Sequence, residues 1–125
     1  MNLPNDLKYT KEHEWVRIDG NILTVGITDH AQSEQGDIIF IEFPELNQMI
    51  SKDEPFGTIE AVKTVADLFG PVSGKVIEIN EALEDSPDLV NSDSYGQGWI
   101  VKITYTDHSQ LDDLLDSEKY KELIN

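Results

Sequence analysis

One lysine, Lys63, lies between two stretches in which apolar residues alternate with small or polar ones, FGTIEAV before it and TVADLF after it. Alternation with a period of two is typical of β-strands, so residues 56–76 are predicted to form a hairpin with Lys63 at its tip. Glu60 precedes Lys63 by three residues and Asp67 follows it by four. A lysine held out in this way can be presented to other proteins one at a time. The simpler alternative is a solvated surface lysine.

Other residue types that commonly do chemistry are either absent or wrongly spaced. The chain has no cysteine, which excludes a thiolate nucleophile, a disulfide framework and a cysteine-ligated metal. His13-Glu14 does not continue into the zinc motif H-E-x-x-H, because Arg17 occupies the position of its second histidine. His13, His30 and His108 match neither a catalytic triad nor a metal-ligand spacing. We therefore expect neither a metal site nor a catalytic centre.

Size and charge restrict the classes of partner. With 125 residues and 38% hydrophobic composition, we expect one domain over residues 1–125. Twenty-five acidic residues against nine basic ones give a net charge of −16, which repels nucleic acid and anionic membranes. Such a charge favours a monomer and speeds encounter with basic docking surfaces, although it can also serve solubility alone. No membrane span or signal segment is recognisable, which predicts a cytoplasmic protein.

The remaining chain is dominated by short strand-like stretches with turn residues between them. Asp19-Gly20 is a strong hairpin signal, and Pro44 marks the end of a buried strand. Besides the lysine hairpin, strands are predicted at the end of residues 7–18 and at residues 21–27, 37–43, 49–50, 75–80 and 99–105. About seven to nine short strands with turns between them predict an all-β fold, a small antiparallel sandwich or flattened barrel.

Helices are predicted to be few and short. One covers HAQSEQ before the middle of the chain, and a helical tail covers about residues 109–124. The predicted caps are Asp29 with Gln32 in a capping box, Gly36 at the far end of that helix, and Ser109 and Ser117 in the tail. Residues 81–98 are acidic and rich in turn formers, which predicts a long surface loop. Their spacing does not match a calcium-binding loop.

The residues around Lys63 resemble a known attachment site. The segment EAVKTVADLFGPVSGKV is similar to the modification site of the lipoyl and biotinyl carrier family, in which a cofactor is joined to the lysine by an amide bond. Biotin carriers usually have methionine on both sides of that lysine, whereas Val62 and Thr64 stand here. The resemblance therefore favours lipoate as the cofactor, attached to Lys63.

Several further segments, in order along the chain, resemble the glycine cleavage H proteins. They are LKYTKEHEW, VGITDHAQ, GDIIFIEFPE, GPVSGKVIEINEAL, the P-x-L-V-N run, GQGW and LDDLLDSEKYKELI. Each segment alone is weakly diagnostic, but their order and spacing together are specific. The resemblance covers nearly the whole chain and implies the hammerhead sandwich of lipoyl carriers, with a short internal helix and C-terminal helices.

For function, this resemblance implies a carrier without catalytic activity of its own. In the family, the lipoyl group takes the aminomethyl group of glycine from glycine decarboxylase (P protein), which uses pyridoxal phosphate, and delivers it to a folate-dependent aminomethyltransferase (T protein). Dihydrolipoyl dehydrogenase (L protein) then reoxidises the dithiol. A lipoate ligase or octanoyltransferase loads the lysine. Because a solvated lysine is almost fully protonated at pH 7, we expect that such an enzyme is required for acylation.

The resemblance also assigns roles to three acidic residues and one alanine. It implies that Glu14 and Asp67 line a cleft that holds the loaded arm and its cationic amine, and that Glu60 and Ala61 contribute to ligase recognition. Taken singly, each carboxylate is expected to be a solvated surface group. The chain departs from the commonest family pattern at Ala61, Asn47, Gln35 and Ser94, which replace serine, glycine, leucine and proline respectively.

Two other carrier functions remain open from the sequence. One is a lipoyl domain of a 2-oxoacid dehydrogenase complex, although those domains are shorter and carry flexible linkers. The other is a relay donor that passes lipoyl or octanoyl groups to other carriers. An unmodified acidic binding module is a more distant alternative.

Overall fold

Nine short strands and a few short helices make up the chain in the computed structural model, which describes residues 2–125. The strands are β1 Lys8–Tyr9, β2 Glu14–Asp19, β3 Ile22–Ile27, β4 Ile38–Glu42, β5 Met49–Ile50, β6 Pro55–Ala61, β7 Val65–Phe69, β8 Gly74–Ile79 and β9 Val101–Thr104. The helices are α1 Asp29–Gln35, α2 Ala82–Asp85, α3 Leu89–Ser92, a 3₁₀ helix His108–Asp113 and α4 Ser117–Ile124.

The strands form two antiparallel sheets. One sheet has six strands in the order β1-β2-β3-β9-β8-β5, and the other has three in the order β4-β6-β7. A single large cluster of buried apolar side chains joins them, with Val25 and Ile103 from the six-stranded sheet and Ile59 and Leu68 from the three-stranded one. The predicted all-β sandwich is therefore confirmed, as a flattened pair of sheets.

The lysine hairpin consists of β6 and β7, which pair from Pro55↔Phe69 to Glu60↔Val65. Its paired strands are shorter than the predicted span of about residues 56–76, because Gly74 begins β8 of the other sheet. Gly74 itself lies against the β9 backbone so closely that a Cβ there would clash with the carbonyl oxygen of Thr104. The glycine thus permits the chain to pass from one sheet to the other.

The helix caps differ from the predicted ones. Thr28 caps α1, because the backbone N–H of Ala31 donates to its Oγ1 at 3.1 Å, and Asp29 instead accepts from the Gln32 side chain. In the tail, Asp107 and Asp116 cap in place of the predicted Ser109 and Ser117, which lie inside the helices. A carboxylate and a hydroxyl are nearly equivalent as cap acceptors, so sequence alone fixes the cap only to within a residue or two.

Gly36 closes α1 as predicted. Its φ is +83°, a backbone conformation that favours glycine, and its N–H donates to the Gln32 carbonyl at 2.9 Å.

The prediction of a long surface loop over residues 81–98 is wrong. This segment contains α2 and α3, which bury Leu83 and Val90 in the main core. Each helix has only four residues, so an apolar period cannot be recognised among the surrounding acids.

A second, smaller apolar cluster attaches the C-terminal helix to the N-terminal strands. Its fully buried members include Tyr9, Trp15 and Tyr120, and the rings of Tyr9 and Tyr120 stack with centroids 4.8 Å apart. The Tyr120 hydroxyl lies 2.8 Å from Thr28 Oγ1 and 2.8 Å from His13 Nδ1. The tail therefore supports the cap of α1 and the turn that precedes β2.

We expect Tyr120→Phe to lower the free energy of unfolding by about 1–2 kcal/mol, because it leaves the stacked ring in place but removes a hydroxyl that bonds two groups, one of them fully buried. Urea denaturation followed by circular dichroism measures the change. Leu123→Ala on the same helix is the control, because Leu123 is 48% exposed and its loss should cost under about 0.5 kcal/mol. Equal effects of the two substitutions would contradict this account of the tail.

Candidate functional site

The tip of the hairpin consists of residues 62–64 and is held by two backbone hydrogen bonds. Ala61 N–H donates to the Thr64 carbonyl at 2.8 Å, which closes the turn. Val62 N–H donates to the Asp37 carbonyl at 3.0 Å, which ties the tip to the segment after α1. Lys63 is exposed between these bonds. The lysine therefore projects from a fixed backbone into solvent.

The Lys63 side chain passes over the end of α1. A Cβ built on Gly36 would lie 3.2 Å from Lys63 Cε and 3.8 Å from Nζ. The absence of a side chain at Gly36 thus leaves room for the lysine stem as well as closing the helix. Sequence reasoning assigned Gly36 only the second role, because nothing in the local pattern indicates which distant side chain approaches a glycine.

The four other site residues predicted from the sequence occupy different environments. Glu60 is half-buried on β6, and Asp67 is exposed on β7 opposite Thr58. Ala61 is buried at the end of β6. Within residues 2–125 neither acid forms an ion pair with Lys63. Asp67 and Glu14 line one cleft, whereas Glu60 and Ala61 do not line it.

This cleft lies between α1 and β7 and has a volume of about 540 Å³. Its wall combines apolar side chains, which can cover a hydrocarbon arm, with polar and charged side chains. The residues lining it are Glu12, His13, Glu14, Ile27, His30, Ala31, Glu34, Gln35, Ala66, Asp67, Leu68 and Phe69. Because Gln35 precedes Gly36, the cleft extends to the end of α1 over which the Lys63 stem lies.

Glu14 is the most deeply buried acid of the cleft, with 1% of its surface exposed. Both carboxylate oxygens accept hydrogen bonds: Thr10 Oγ1 donates to Oε1 at 2.8 Å, and Phe69 N–H donates to Oε2 at 2.9 Å. Burial nevertheless raises the pKa of Glu14 to about 8, because those two bonds only partly offset desolvation. The expectation of a solvated carboxylate is therefore wrong for Glu14, although it holds for Asp67.

Two of the three histidines meet in the cleft. The rings of His13 and His30 have centroids 5.1 Å apart, and His13 Nδ1 lies 2.8 Å from the Tyr120 hydroxyl. Burial, together with the neighbouring His30, lowers the pKa of His13, which favours a neutral imidazole. The third histidine, His108, lies elsewhere, beside Tyr105. Linear spacing cannot show a pair that forms across a turn and a helix.

Gln35 supplies the one buried side-chain polar atom that lacks a hydrogen-bond partner in the described part of the chain. This atom is its Oε1. A buried acceptor without a donor is unfavourable by about 1–3 kcal/mol, so it calls for an explanation. A donor introduced into the cleft would satisfy it. From the sequence, Gln35 differs from the family pattern only in replacing leucine.

The described residues give no sign of other site chemistry. They contain no cluster of three or more potential metal ligands. None of the helices in that region is both long enough and apolar enough to span a membrane. A further cavity of about 330 Å³ lies on the other side of Glu14, where Lys52 forms ion pairs with Asp53 at 3.1 Å and Asp113 at 3.0 Å.

Comparison with known proteins agrees with the fold. The family model described as glycine cleavage H-protein matches residues 7–125. A glycine cleavage system H protein from Staphylococcus haemolyticus is 55% identical over 124 residues, which is 99% of this chain and 98% of that protein. The crystal structure of a glycine cleavage system H protein from Mycobacterium marinum superposes with a TM-score of 0.85 at 34% identity, covering 96% of this chain and 97% of that one. The chain therefore belongs to the glycine cleavage H-protein family.

Proposed function

We propose that this protein is a lipoyl carrier of the glycine cleavage system, acting as one domain over residues 1–125 with lipoate joined by an amide bond to Lys63. The observation that carries the proposal is the position of an exposed lysine on a hydrogen-bonded hairpin tip, next to a cleft lined by a buried carboxylate. Family membership supports the same conclusion. The bound lipoyl group would supply the disulfide and dithiol chemistry that a chain without cysteine lacks.

The residues present fit such an arm. Its hydrocarbon part can lie against the apolar cleft wall formed by Ile27, Ala31 and Ala66. The amide formed at Lys63 Nζ adds an N–H donor beside Gly36 at the end of α1, and we propose that this donor reaches the unpartnered oxygen of the preceding residue, Gln35. Glu14 can receive a cationic amine carried by the arm, because a nearby positive charge favours its ionised form. Asp67, exposed at the rim, would add a second negative charge there.

We propose a carrier and not an enzyme because the groups around Lys63 cannot activate it. The described residues place no second cation or base in contact with its Nζ, and the lysine is exposed. Acylation then requires a lipoate ligase or an octanoyltransferase, with Glu60 and Ala61 contributing to its recognition of the tip. Glycine decarboxylase, the aminomethyltransferase and dihydrolipoyl dehydrogenase are the proposed partners of the loaded form. The relay function to other carriers is a second candidate that uses the same lysine.

Lys63→Arg tests the attachment site. Co-expression with a lipoate–protein ligase should add one lipoyl group to the wild-type chain and none to the variant, as measured by intact mass and peptide mapping. Glycine decarboxylation assayed with the partner enzymes should fall to background. Lys75→Arg is the control, because Lys75 is an exposed strand lysine outside the tip. An adduct on another lysine, or full glycine decarboxylation by Lys63→Arg, would refute the proposal.

Glu14→Gln tests the buried carboxylate through pH. Because the folded-state pKa of Glu14 is raised from 4.5 to about 8, the folded protein holds this proton more tightly than the unfolded chain. Glu14 therefore stabilises the fold below about pH 4.5 relative to higher pH, and that contribution is lost as pH rises toward 8. Glu14→Gln should remove this decline in the free energy of unfolding. The decline is on the order of 1.4 kcal/mol for each unit by which the pKa of Glu14 is raised.

Urea titrations of the unmodified protein between pH 5 and pH 8 measure the effect, with Glu12→Gln as the control on the same turn. Glu12 is exposed, so this substitution should leave the pH slope close to that of wild type. Parallel slopes for Glu14→Gln and wild type would show that the pKa of Glu14 is not raised.

Gln35→Leu tests the proposed contact with the arm. Removing the unpartnered oxygen should stabilise the unmodified protein, by up to about 1–3 kcal/mol. Acylation of Lys63 should then stabilise the variant less than it stabilises wild type, because the new N–H has lost its acceptor. Thermal unfolding of the unmodified and acylated forms measures both changes, and Gln97→Leu, at an exposed position, is the control. An equal gain on acylation in Gln35→Leu and wild type would exclude the contact.

A further inference from the structure

The outer face of the three-stranded sheet exposes apolar side chains directly beside Lys63. Phe40 on β4 is 55% exposed, Val65 on β7 is 60% exposed, and Val62 at the tip is 73% exposed. The register aligns Phe40, Glu60 and Val65 in one row across the three strands. Directly paired residues project from the same face of a sheet, so this row forms a continuous surface next to the tip.

This outer face is separate from the cleft described above. Phe40, Val62 and Val65 are not among the residues that line the cleft, whereas residues 66–69 of β7 are. An arm lying in the cleft would therefore leave Phe40 and Val65 uncovered. Exposed apolar residues grouped at a functional lysine commonly mark an interaction site.

A groove of about 320 Å³ continues the outer face beyond Phe40. It runs between β4 and α2 and is lined by Phe40, Ile41, Glu42, Phe43, Leu83 and Glu84. Its floor is apolar, whereas Glu42 and Glu84 are exposed acids. One apolar side chain with basic neighbours would match both its shape and its charge.

Acidic residues outnumber basic ones on the three-stranded sheet and its tip. Strands β4, β6 and β7 with their tip contain Glu42, Glu60 and Asp67 but only one basic residue, Lys63. We infer that the row Phe40–Glu60–Val65 and the adjoining groove, here called the outer docking face, bind the enzyme that acylates Lys63 through a basic-rimmed apolar surface on that enzyme. This inference rests on the proposed function.

The acylating enzyme is the expected partner because its active site must come close to Lys63 Nζ. In the loading reaction, Lys63 Nζ loses a proton and forms an amide bond to the carboxyl carbon of an activated acyl group, such as an acyl-adenylate, and the activating group departs. The active site must therefore enclose Nζ itself, and the enzyme has to rest on the residues around the tip. Enzymes that act on the loaded carrier meet the far end of the arm instead, so they have less need of this face.

The test measures acylation kinetics on the unmodified protein, with a lipoate–protein ligase, ATP and octanoate, and intact mass as the readout. Phe40→Ser should raise the KM for the protein about tenfold with kcat little changed, because an apolar anchor at an interface is lost. Phe40→Leu should restore most of the affinity. Ile18→Ser is the matched control. Ile18 is also exposed on a strand, at 39%, but it lies on β2 of the six-stranded sheet and not on the sheet that carries the tip.

Two further experiments test the charge of the outer docking face and the identity of its partner. The double substitution Glu42→Gln with Glu84→Gln should flatten the salt dependence of KM, whereas Glu118→Gln with Glu122→Gln on α4 should not. Loaded fully with lipoate in place of octanoate and then reduced to the dithiol, Phe40→Ser should be reoxidised by dihydrolipoyl dehydrogenase at the wild-type rate. A defect confined to that reaction would assign the face to the dehydrogenase and overturn our inference.

An unchanged KM for folded Phe40→Ser, with wild type acylated normally, would overturn the outer docking face and leave the proposed function standing. Failure of the wild-type chain to be acylated at Lys63 would remove both. Thermal unfolding of each variant shows that it is folded, and the exposure of Phe40 predicts a melting temperature close to that of wild type.

Discussion

The buried carboxylate of Glu14 joins the two halves of the site. One of its oxygens accepts from Thr10 in the turn before β2, and the other accepts from the backbone of Phe69 at the end of β7. These elements belong to different sheets, so the bonds fix the lysine hairpin relative to the N-terminal strands. Burying a carboxylate is costly, and the raised pKa measures the part of that cost that two hydrogen bonds do not offset. A cationic ligand in the cleft would offset more of it.

The tip depends on a second constraint, the close approach of the lysine stem to the end of α1. Val62 bonds to the Asp37 carbonyl, and the stem of Lys63 lies where a side chain on Gly36 would otherwise be. Helix α1 is in turn held by Thr28, whose hydroxyl also meets Tyr120 in the C-terminal helix. The direction of the lysine is thus determined by residues from almost the full length of the chain. A shorter hairpin domain would lack these supports.

The parts of the fold that follow from local pattern were predictable from the sequence. Alternating apolar residues gave the strands, and Gly36 gave the end of α1. The burial of Glu14, the pairing of His13 with His30 and the unpartnered Gln35 oxygen were not predictable, because each depends on contacts between segments distant in sequence. The prediction for residues 81–98 was wrong for the opposite reason. Their local composition indicated a loop, but Leu83 and Val90 are buried in the core. Tertiary burial overrode composition there.

Separate surfaces on one strand give a carrier a way to serve partners in turn. On β7, residues 66–69 line the cleft, whereas Val65 does not. Under the proposed function, an arm in the cleft would be shielded from water and would leave the outer face unobstructed. A partner that recognises the outer face can therefore bind whether or not the cleft is filled, while a partner that draws the arm out competes only with the cleft. Under the proposed function, loading and use of the arm would depend on different residues of the same five-residue strand.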